Sequence, residues 1–274
     1  MQQQIGVIGA NGFVGTAMMR LFPNAIPFYK NSNQKKIDVC DAVFVCVPTP
    51  VLGKGKLDTS IVEDVVKKCN SPIIIIRSTL NPGTSDYLSL KYKKKISVIP
   101  EYVGESVAHP LLDEASRPFL VIGGDPIIRE KVVELYTTVY NANISIRLVT
   151  NLEAEIIKLT ENRAIAFKVA QCQELYDVCK AAKIDYYTIR DSVYGDDPRF
   201  NLWWTMIYPN KRGFNSKCIP KDIYAWCAWA ESVGYKPEIT KAILERNEKW
   251  INPIVFSSNG GSDYSPPSTS VTIK

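Results

Sequence analysis

The sequence predicts an α/β protein in which a doubly wound parallel sheet precedes an all-helical domain built on one long central helix. In the first half, apolar runs of strand length at residues 4–9, 42–47 and 72–77 alternate with helical stretches. That alternation is typical of a parallel sheet covered by helices. In the second half, one helical pattern continues from residue 150 to about residue 182. We therefore expect domains at 1–150 and 151–256.

Residues 4–15 predict the strand, tight turn and helix start of a Rossmann-like nucleotide-binding unit. The first apolar run ends in glycine, and Gly9, Gly12 and Gly15 are spaced three residues apart before an amphipathic stretch at 14–21. Glycine lets a backbone approach a pyrophosphate, and the N-terminus of a helix supplies N–H donors and a favourable dipole. Because the turn lies between a strand and a helix, the sequence favours dinucleotide binding over a plain turn.

The end of the predicted second strand bears on the choice of cofactor. An acidic residue that binds the ribose 2′-hydroxyl is expected about 20 residues after the glycine turn. Tyr29 and Lys30 stand there instead, and the first acidic residue is Asp38. An acidic residue would repel the 2′-phosphate of NADP. Because Lys30 stands at this position instead, NADP stays possible as the cofactor beside NAD. A solvated strand end is the alternative interpretation of Lys30.

Residues 119–123 and 144–148 are predicted to extend the sheet. The long helix has Thr150 or Asn151 as its N-cap and Glu153 in its first turn. At about 30 residues it would be about 45 Å long, enough to form the spine of the second domain. The remaining expected segments are helices at 186–194, 222–233 and 237–250 and a flexible Ser/Gly/Pro-rich tail at 257–274.

Composition excludes several classes of function. The chain has 274 residues, 46% of them hydrophobic, and a net charge of +5 with its lysines dispersed, so no nucleic-acid partner is expected. A single histidine, His109, argues against a multi-histidine metal site, and we expect no metal. Seven cysteines without CxxC spacing, and no apolar run of bilayer length, predict a reducing cytoplasm and no membrane partner.

Residues 213–222 predict a reactive cysteine. Cys218 stands just before a proline and the pair Lys221 and Asp222, and proline is favoured in the first turn of a helix. The helix dipole and the neighbouring Lys217 and Lys221 both favour a thiolate at Cys218. A buried structural cysteine is the alternative interpretation.

Five motifs in this order resemble the UDP-glucose/GDP-mannose dehydrogenase family. They are VPTP at 47–50, STLNPGT at 78–84, PEYVGE at 100–105, EIIKLTEN at 155–162 and CIPKD at 218–222. The resemblance runs from residue 5 to about residue 250. It implies NAD-dependent oxidation of the C6 alcohol of a nucleotide sugar to the carboxylate, with polysaccharide biosynthesis as the context.

The resemblance gives catalytic roles to residues of the second domain. Cys218 would attack the C6 aldehyde to form a thiohemiacetal, whose oxidation yields a thioester for hydrolysis. Lys158 and Asn162 are four residues apart and share one helix face. They would hold the C6 oxygen and stabilise its developing charge, while Asp222 would assist proton transfer. An exposed polar stripe is the alternative interpretation of the helix pair.

The resemblance also implies residues at the carboxyl ends of the strands, where open α/β sheets bind ligands. Thr79 and Glu101 would handle the hydrolytic water, with Glu105 as a lesser candidate. The implied cofactor-binding residues are Gly9, Asn11, Gly12, Phe13, Val14, Tyr29, Lys30, Val47, Pro48, Thr49, Ser78, Thr79, Glu105 and Lys221. The implied substrate-binding residues are Glu101, Tyr102, Val103, Lys158, Asn162, Phe214 and Cys218.

Three departures from the family pattern limit these expectations. The second nucleotide-fold domain of the family is not represented, so a separate chain could supply it, the substrate could differ, or binding could be weak. Asn215, Ser216 and Lys217 replace a glycine-rich approach to the cysteine, and Gly104 stands in place of an arginine. The residues implied in catalysis therefore match the family pattern better than the residues implied in substrate recognition do.

Two other functions stay open at the sequence level. One is a two-electron β-hydroxyacid-type dehydrogenase, which would need no nucleophilic Cys218. The other is a catalytically silent binding protein of the same fold. The family dimerises through its central helices, so a homodimer is expected. The apolar face of the long helix, which includes Ile156, Leu159, Phe167 and Val169, would serve the dimer or only its own domain.

Overall fold

Five parallel strands form a sheet in the first part of the chain. The structure is a computed structural model that describes residues 3–30, 32, 34–104, 109, 111, 113–140 and 143–252. The strands are β1 (Ile5–Ile8), β2 (Ile26–Phe28), β3 (Ala42–Val45), β4 (Ile73–Ile76) and β5 (Ile96–Val98), in the order β2-β1-β3-β4-β5. The connecting helices are α1 (Phe13–Leu21), α2 (Gln34–Asp38), α3 (Ser60–Lys68) and α4 (Thr84–Tyr92). The doubly wound parallel sheet predicted from the sequence is confirmed.

The central strands are apolar throughout because helices cover both faces of the sheet. Every residue of β3 and β4 is buried, as expected when a parallel sheet has no solvent-facing side. Phe44 and Ile75 pack in one apolar cluster with α1 and with α5 (Pro126–Thr137), whereas Val43 and Ile74 pack with α3 and α4. Continuous apolar runs therefore mark the centre of the sheet.

Two further strands do not extend this sheet, contrary to the sequence prediction. β6 (Phe119–Gly123) and β7 (Ser145–Val149) pair with each other in a separate parallel sheet. Asn151 gives the physical reason, since its side chain accepts the N–H of Val98 at 3.0 Å and donates to the carbonyl of Ile96 at 3.1 Å. A side-chain amide thus occupies the hydrogen-bonding edge of β5 where a sixth strand would pair.

The long helix α6 (Asn151–Ala182) begins and ends where the sequence predicts. Thr150 is its N-cap: the hydroxyl of Thr150 accepts the N–H of Glu153 at 3.2 Å, and the carboxylate of Glu153 accepts the N–H of Thr150 at 2.7 Å. This reciprocal capping box satisfies two donors at the helix start. Lys183, with a left-handed φ of 57°, terminates the helix.

Three shorter helices pack around α6. They are α7 (Tyr186–Arg190), which continues into a π-helical turn at Asp191–Gly195, α8 (Ile219–Ser232) and α9 (Glu238–Ile251). α8 begins three residues before its predicted start because Pro220 lies in its first turn, so Cys218 becomes the N-cap residue. Among the helices in the described ranges, none combines the length and apolar character that a membrane span requires. The predicted tail at 257–274 lies outside the described residues.

A buried carboxyl joins α6 to the sheet domain. Glu155 accepts hydrogen bonds from the N–H of Gly83 at 2.5 Å and from the N–H and hydroxyl of Ser85 at 2.8 and 2.6 Å. These donors lie at the start of α4, so Glu155 supplies the cap that α4 lacks from its own side chains. Burial raises the pKa of Glu155 to about 7, against the three donors that lower it.

We predict that Glu155→Gln changes how stability depends on pH. A carboxyl whose pKa is raised by folding binds more protons in the native state, so the free energy of unfolding falls as pH rises from the ordinary glutamate value to about 7. The fall is of the order of 3 kcal/mol. This contribution of Glu155 to the pH dependence should be absent from Glu155→Gln when urea unfolding is measured from pH 5 to pH 8.

Glu130→Gln is the matched control, because Glu130 is exposed on α5 and should keep the wild-type dependence. A Glu155→Gln protein with the same dependence on pH as wild type would contradict a raised pKa at this carboxyl.

Candidate active site

The parallel order of the strands brings the predicted cofactor-binding residues to one edge of the sheet. Their loops follow the carboxyl ends of four strands and hold residues 9–14, 29–30, 47–49 and 78–79. Hydrogen bonds join the loops: the hydroxyl of Ser78 accepts from the N–H of Val47 at 3.0 Å and donates to its carbonyl at 2.7 Å. Lys221 lies on α8, which packs against the turn at 53–55 after β3. Glu105 lies outside the described residues.

The turn between β1 and α1 fits a pyrophosphate. Gly9 has a φ of 82°, and a side chain on Gly15 would collide with the carbonyl of Gly9, so both positions require glycine. Gly12 is the N-cap of α1 and makes no side-chain cap, which leaves the first N–H groups of the helix for an anion. A cavity of about 170 Å³ opens here, lined by Asn11, Gly12, Phe13, Thr16, Ala17, Arg20, Val103 and Asp113.

The contact between α6 and α8 unites predicted catalytic residues. The side-chain amide of Asn162 donates to Asp222 Oδ2 at 2.6 Å, and Lys221 Nζ lies 2.8 Å from Asp222 Oδ1. The side chain of Asp222 is 1% exposed, and its N–H donates to the carbonyl of Cys218 at 3.0 Å. The thiol of Cys218 is exposed at the start of α8, so it stands one helical turn from a fixed carboxylate.

Lys158 connects the same face of α6 to the segment after β5. Its Nζ donates to the backbone carbonyl of Glu101, lies 3.5 Å from Glu161 Oε2 and stands 5.7 Å from the ring centre of Tyr102. Lys158 and Asn162 therefore point from one face of α6, as their spacing predicts. The segment after β5, α6 and α8 thus meet at one place, which we call the cleft.

Glu101 is held as a carboxylate. Its Oε2 pairs with Arg77 at 2.5 Å, and its Oε1 accepts the N–H groups of Tyr102 at 2.9 Å and Val103 at 2.6 Å. Burial favours the neutral acid, but the charge and hydrogen bond of Arg77 and the N–H of Val103 outweigh it and lower the pKa of Glu101. Glu101 thus enters the site as a charged group of fixed orientation.

Arg77 divides its guanidinium between two carboxylates. Besides Glu101, it pairs with Glu114 at 2.9 Å, and Arg117 pairs with the same Glu114 oxygen at 2.8 Å. The side chains of Arg77 and Glu114 are fully buried. Sequence reasoning did not identify Arg77; the available signal was an arginine directly after the apolar run of β4.

Glu161 is a second residue that sequence reasoning did not assign to the site. It lies within the EIIKLTEN motif three residues after Lys158, a spacing that places both on one face. Burial raises the pKa of Glu161, and the charges of Glu101 and Asp222 add to that effect while Lys158 opposes it. The site therefore contains three carboxyl groups in different electrostatic environments.

Several predicted contact residues are packed in the interior. Tyr102 is 5% exposed and its ring lies 4.8 Å from that of Phe119. Phe214 is also 5% exposed and exchanges two hydrogen bonds with the side chain of Asn247. Thr79 is half-buried after β4. The substrate-contact and water-handling roles of these residues stay predictions. Within the described ranges, no cluster of three or more His, Cys, Asp or Glu side chains is arranged to hold a metal ion.

Two family models match the chain. Residues 24–142 match the NAD binding domain of the UDP-glucose/GDP-mannose dehydrogenase family, and residues 152–249 match its central domain. The chain belongs to this family. The resemblance found in the sequence is thereby confirmed, and residues 24–142, which include β2 to β6, belong to the NAD binding domain of the family.

Individual proteins agree with this assignment. UDP-glucose 6-dehydrogenase AglM of Haloferax volcanii is 26% identical over 76% of this chain and 52% of its own length. UDP-glucose 6-dehydrogenase TuaD of Bacillus subtilis is 26% identical over 81% of this chain and 49% of its own length. The chain thus spans about half the length of the curated relatives it matches. A UDP-glucose dehydrogenase from Pyrobaculum islandicum has the same fold, with a TM-score of 0.76, 21% identity and coverage of 90% of this chain and 68% of its own.

We predict that Arg77→Met destabilises the protein by about 3–5 kcal/mol at pH 7, because it leaves the carboxylates of Glu101 and Glu114 buried with fewer partners. The loss should be smaller near pH 4, since folding with Arg77 lowers the pKa of Glu101 and that contribution disappears as pH falls. Urea unfolding of wild type and Arg77→Met at both pH values measures this loss of unfolding free energy.

Lys68→Met serves as the control, because the ion pair between Lys68 and Asp64 is exposed and should contribute no more than about 1 kcal/mol. Equal losses of unfolding free energy in the two variants would show that the buried ion pairs of Arg77 stabilise the protein no more than an exposed pair does.

Proposed function

We propose that this chain oxidises the C6 alcohol of a nucleotide sugar to the carboxylate, with UDP-glucose as the first substrate to test. The observation that carries the proposal is the contact between α6 and α8, in which Asn162 binds Asp222 one turn after Cys218. Lys158 extends from the same face of α6 into the cleft. This set combines a nucleophile, a cation and an amide donor around one reacting carbon.

The chain's own residues perform the proposed steps around Cys218. NAD, when bound, accepts a hydride in each of the two oxidations. Lys158 and Asn162 hydrogen-bond the C6 oxygen and stabilise its negative charge. The thiolate sulfur of Cys218 adds to the C6 carbonyl carbon to give the oxyanion of a thiohemiacetal, which loses a hydride to become a thioester. Water then adds to the thioester, and the departing thiolate restores Cys218 as the carboxylate product leaves.

The hydrolytic water is proposed to bind between Thr79 and Glu101. Both follow carboxyl ends of neighbouring strands, and Glu101 is a carboxylate whose orientation Arg77 fixes. A fixed carboxylate can accept a hydrogen bond from water and direct a lone pair of the water oxygen at the thioester. Glu105 keeps its lesser role in this proposal.

The expected result with UDP-glucose is two NADH per sugar consumed, measured by absorbance against product quantified by chromatography. Cys218→Ser should stop the reaction before the second NADH, because a serine hydroxyl is a far weaker nucleophile than a thiolate. The intact mass of the protein trapped during turnover should rise by that of the sugar nucleotide in wild type and not in Cys218→Ser.

Cys69→Ala is the control, since Cys69 is buried at the end of α3, away from the cleft. One NADH per sugar with an unaffected Cys218→Ser protein would favour the two-electron dehydrogenase. Failure with both UDP-glucose and GDP-mannose, while NAD binding is retained, would contradict the proposed substrate class and favour a silent binding protein.

We also propose a homodimer, formed through an apolar surface of the helical domain. Leu159 is fully buried within its own chain, so that part of the predicted helix face is occupied internally. Exposed apolar side chains cluster instead in the segment between α7 and α8, namely Val193, Phe200, Leu202, Trp203, Met206 and Tyr208. Beside them a cavity of about 740 Å³ lies between α6 and α9. A second copy would remove this apolar area from water.

Leu202→Glu should shift the protein from dimer to monomer in sedimentation experiments across the micromolar range, because a buried unpaired carboxylate opposes association. Leu90→Glu is the matched control, with Leu90 82% exposed on α4 in the sheet domain. A wild-type protein that sediments as a monomer throughout this range would contradict the dimer.

The compartment proposed for this chemistry is the reducing cytoplasm. No disulfide joins any of the seven cysteines, all of which lie in the described part of the chain, and the proposed thioester requires Cys218 as a thiol.

A further inference from the structure

We propose that Glu161 is the carboxylate that accepts the proton of the C6 hydroxyl, an assignment that rests on the proposed function of the site. Three carboxyl groups share the cleft: Glu101, Glu161 and Asp222. They differ in how closely hydrogen-bond donors and cations approach their oxygens, and this geometry singles out Glu161.

Two of the three are fixed by strong donors. Glu101 accepts from Arg77 and two backbone N–H groups, and Asp222 accepts from Asn162 at 2.6 Å and pairs with Lys221 at 2.8 Å. Hydrogen bonds and cations directed at a carboxylate stabilise its charged form, and those at Glu101 lower its pKa. The two oxygens of Asp222 likewise face close partners on α6 and α8.

Glu161 is held less closely. Its Oε2 is buried, and the Lys158 ammonium lies 3.5 Å from it, whereas the partners of Asp222 lie at 2.6 and 2.8 Å. The described groups that act on it are Lys158 on α6, Glu101 and Tyr102 after β5, and Asp222 on α8, which itself pairs with Lys221. Burial first, and then Glu101 and Asp222, raise the pKa of Glu161, which brings a carboxylate closer to the basicity that general-base catalysis needs.

The proton transfer balances within the first oxidation. The O–H bond of the C6 alcohol breaks, an O–H bond forms on Glu161, and the Glu161 charge is neutralised. Lys158 keeps its positive charge and hydrogen-bonds the C6 oxygen, while the hydride leaves as in the proposed reaction. The Glu161 side chain is 28% exposed, so the proton can pass to solvent before the next oxidation.

The first test needs neither substrate nor turnover. Infrared difference spectra between wild type and Glu161→Gln, recorded as a function of pH, isolate the carboxyl band of Glu161. We expect a protonated carboxyl that ionises above the ordinary glutamate value. The corresponding difference spectra between wild type and Glu101→Gln should show that the Glu101 carboxyl is already ionised at the ordinary glutamate pKa. A Glu161 carboxyl that ionises at or below the ordinary value would overturn the proposal.

The second test uses turnover with the sugar nucleotide that the protein accepts. In wild type, kcat should rise with pH through the ionisation of Glu161. Glu161→Gln should lose that rise and lower kcat about 100-fold, with KM changed far less, while Glu161→Asp should keep the rise at reduced kcat. Glu130→Gln should match wild type. An unchanged pH profile in Glu161→Gln, with the rise lost in Asp222→Asn, would assign the proton to Asp222 instead.

The two tests separate this inference from the proposed function. If no sugar nucleotide is oxidised, the proposed function fails, and the infrared titration alone decides whether Glu161 is the proton-exchanging carboxyl. If oxidation occurs without the Glu161 dependence, the function stands and the Glu161 assignment fails.

Discussion

A polar stripe along one face of α6 holds the rest of the structure in place. Its members are Asn151, Glu155, Lys158 and Asn162, whose spacing of four, three and four residues keeps them on one side of a helix. They bind, in order, the edge of β5, the start of α4, the carbonyl of Glu101 and the carboxylate of Asp222. One rigid helix thereby fixes the sheet, the segment after β5 and α8 relative to one another.

This stripe explains why the candidate site lies where it does. Asn151 and Glu155 make contacts that position α6, and Lys158 and Asn162 continue the same face into the cleft. Buried polar groups cost free energy when they are left without hydrogen bonds, so the partners of these side chains are specified closely. The cation and the amide of the proposed chemistry are therefore placed by the same contacts that dock the helix on the sheet.

The carboxyl groups of the cleft show how different surroundings shift the pKa of the same functional group in different directions. Arg77 holds Glu101 charged, whereas Glu161, with the Lys158 ammonium beside it, has its pKa raised by burial. Both are glutamates, and nothing in their own chemistry distinguishes them. Their roles follow from which donors the fold delivers, since opposite charges and burial shift a carboxyl in opposite directions.

Much of the fold was predictable because its signals are local. Buried strands are continuous apolar runs, and the capping box at Thr150 and Glu153 marks the start of α6 within four residues. The residues of the proposed catalytic set were also identifiable, because motif and helix spacing point to Lys158 and Asn162; their catalytic roles stay predictions. The extension of the sheet by β6 and β7 was predicted wrongly, since only the folded chain brings the side chain of Asn151 to β5.

The sequence by itself determined the parallel sheet, the long helix, the family and the residue types of the proposed chemistry. Tertiary structure alone decided the electrostatics. The partners of Arg77 lie 24 and 37 residues away at Glu101 and Glu114, and the neighbours of Glu161 come from three separate segments. A pKa depends on distances and burial in space, and a sequence with no local signal for those contacts cannot specify them before the chain has folded.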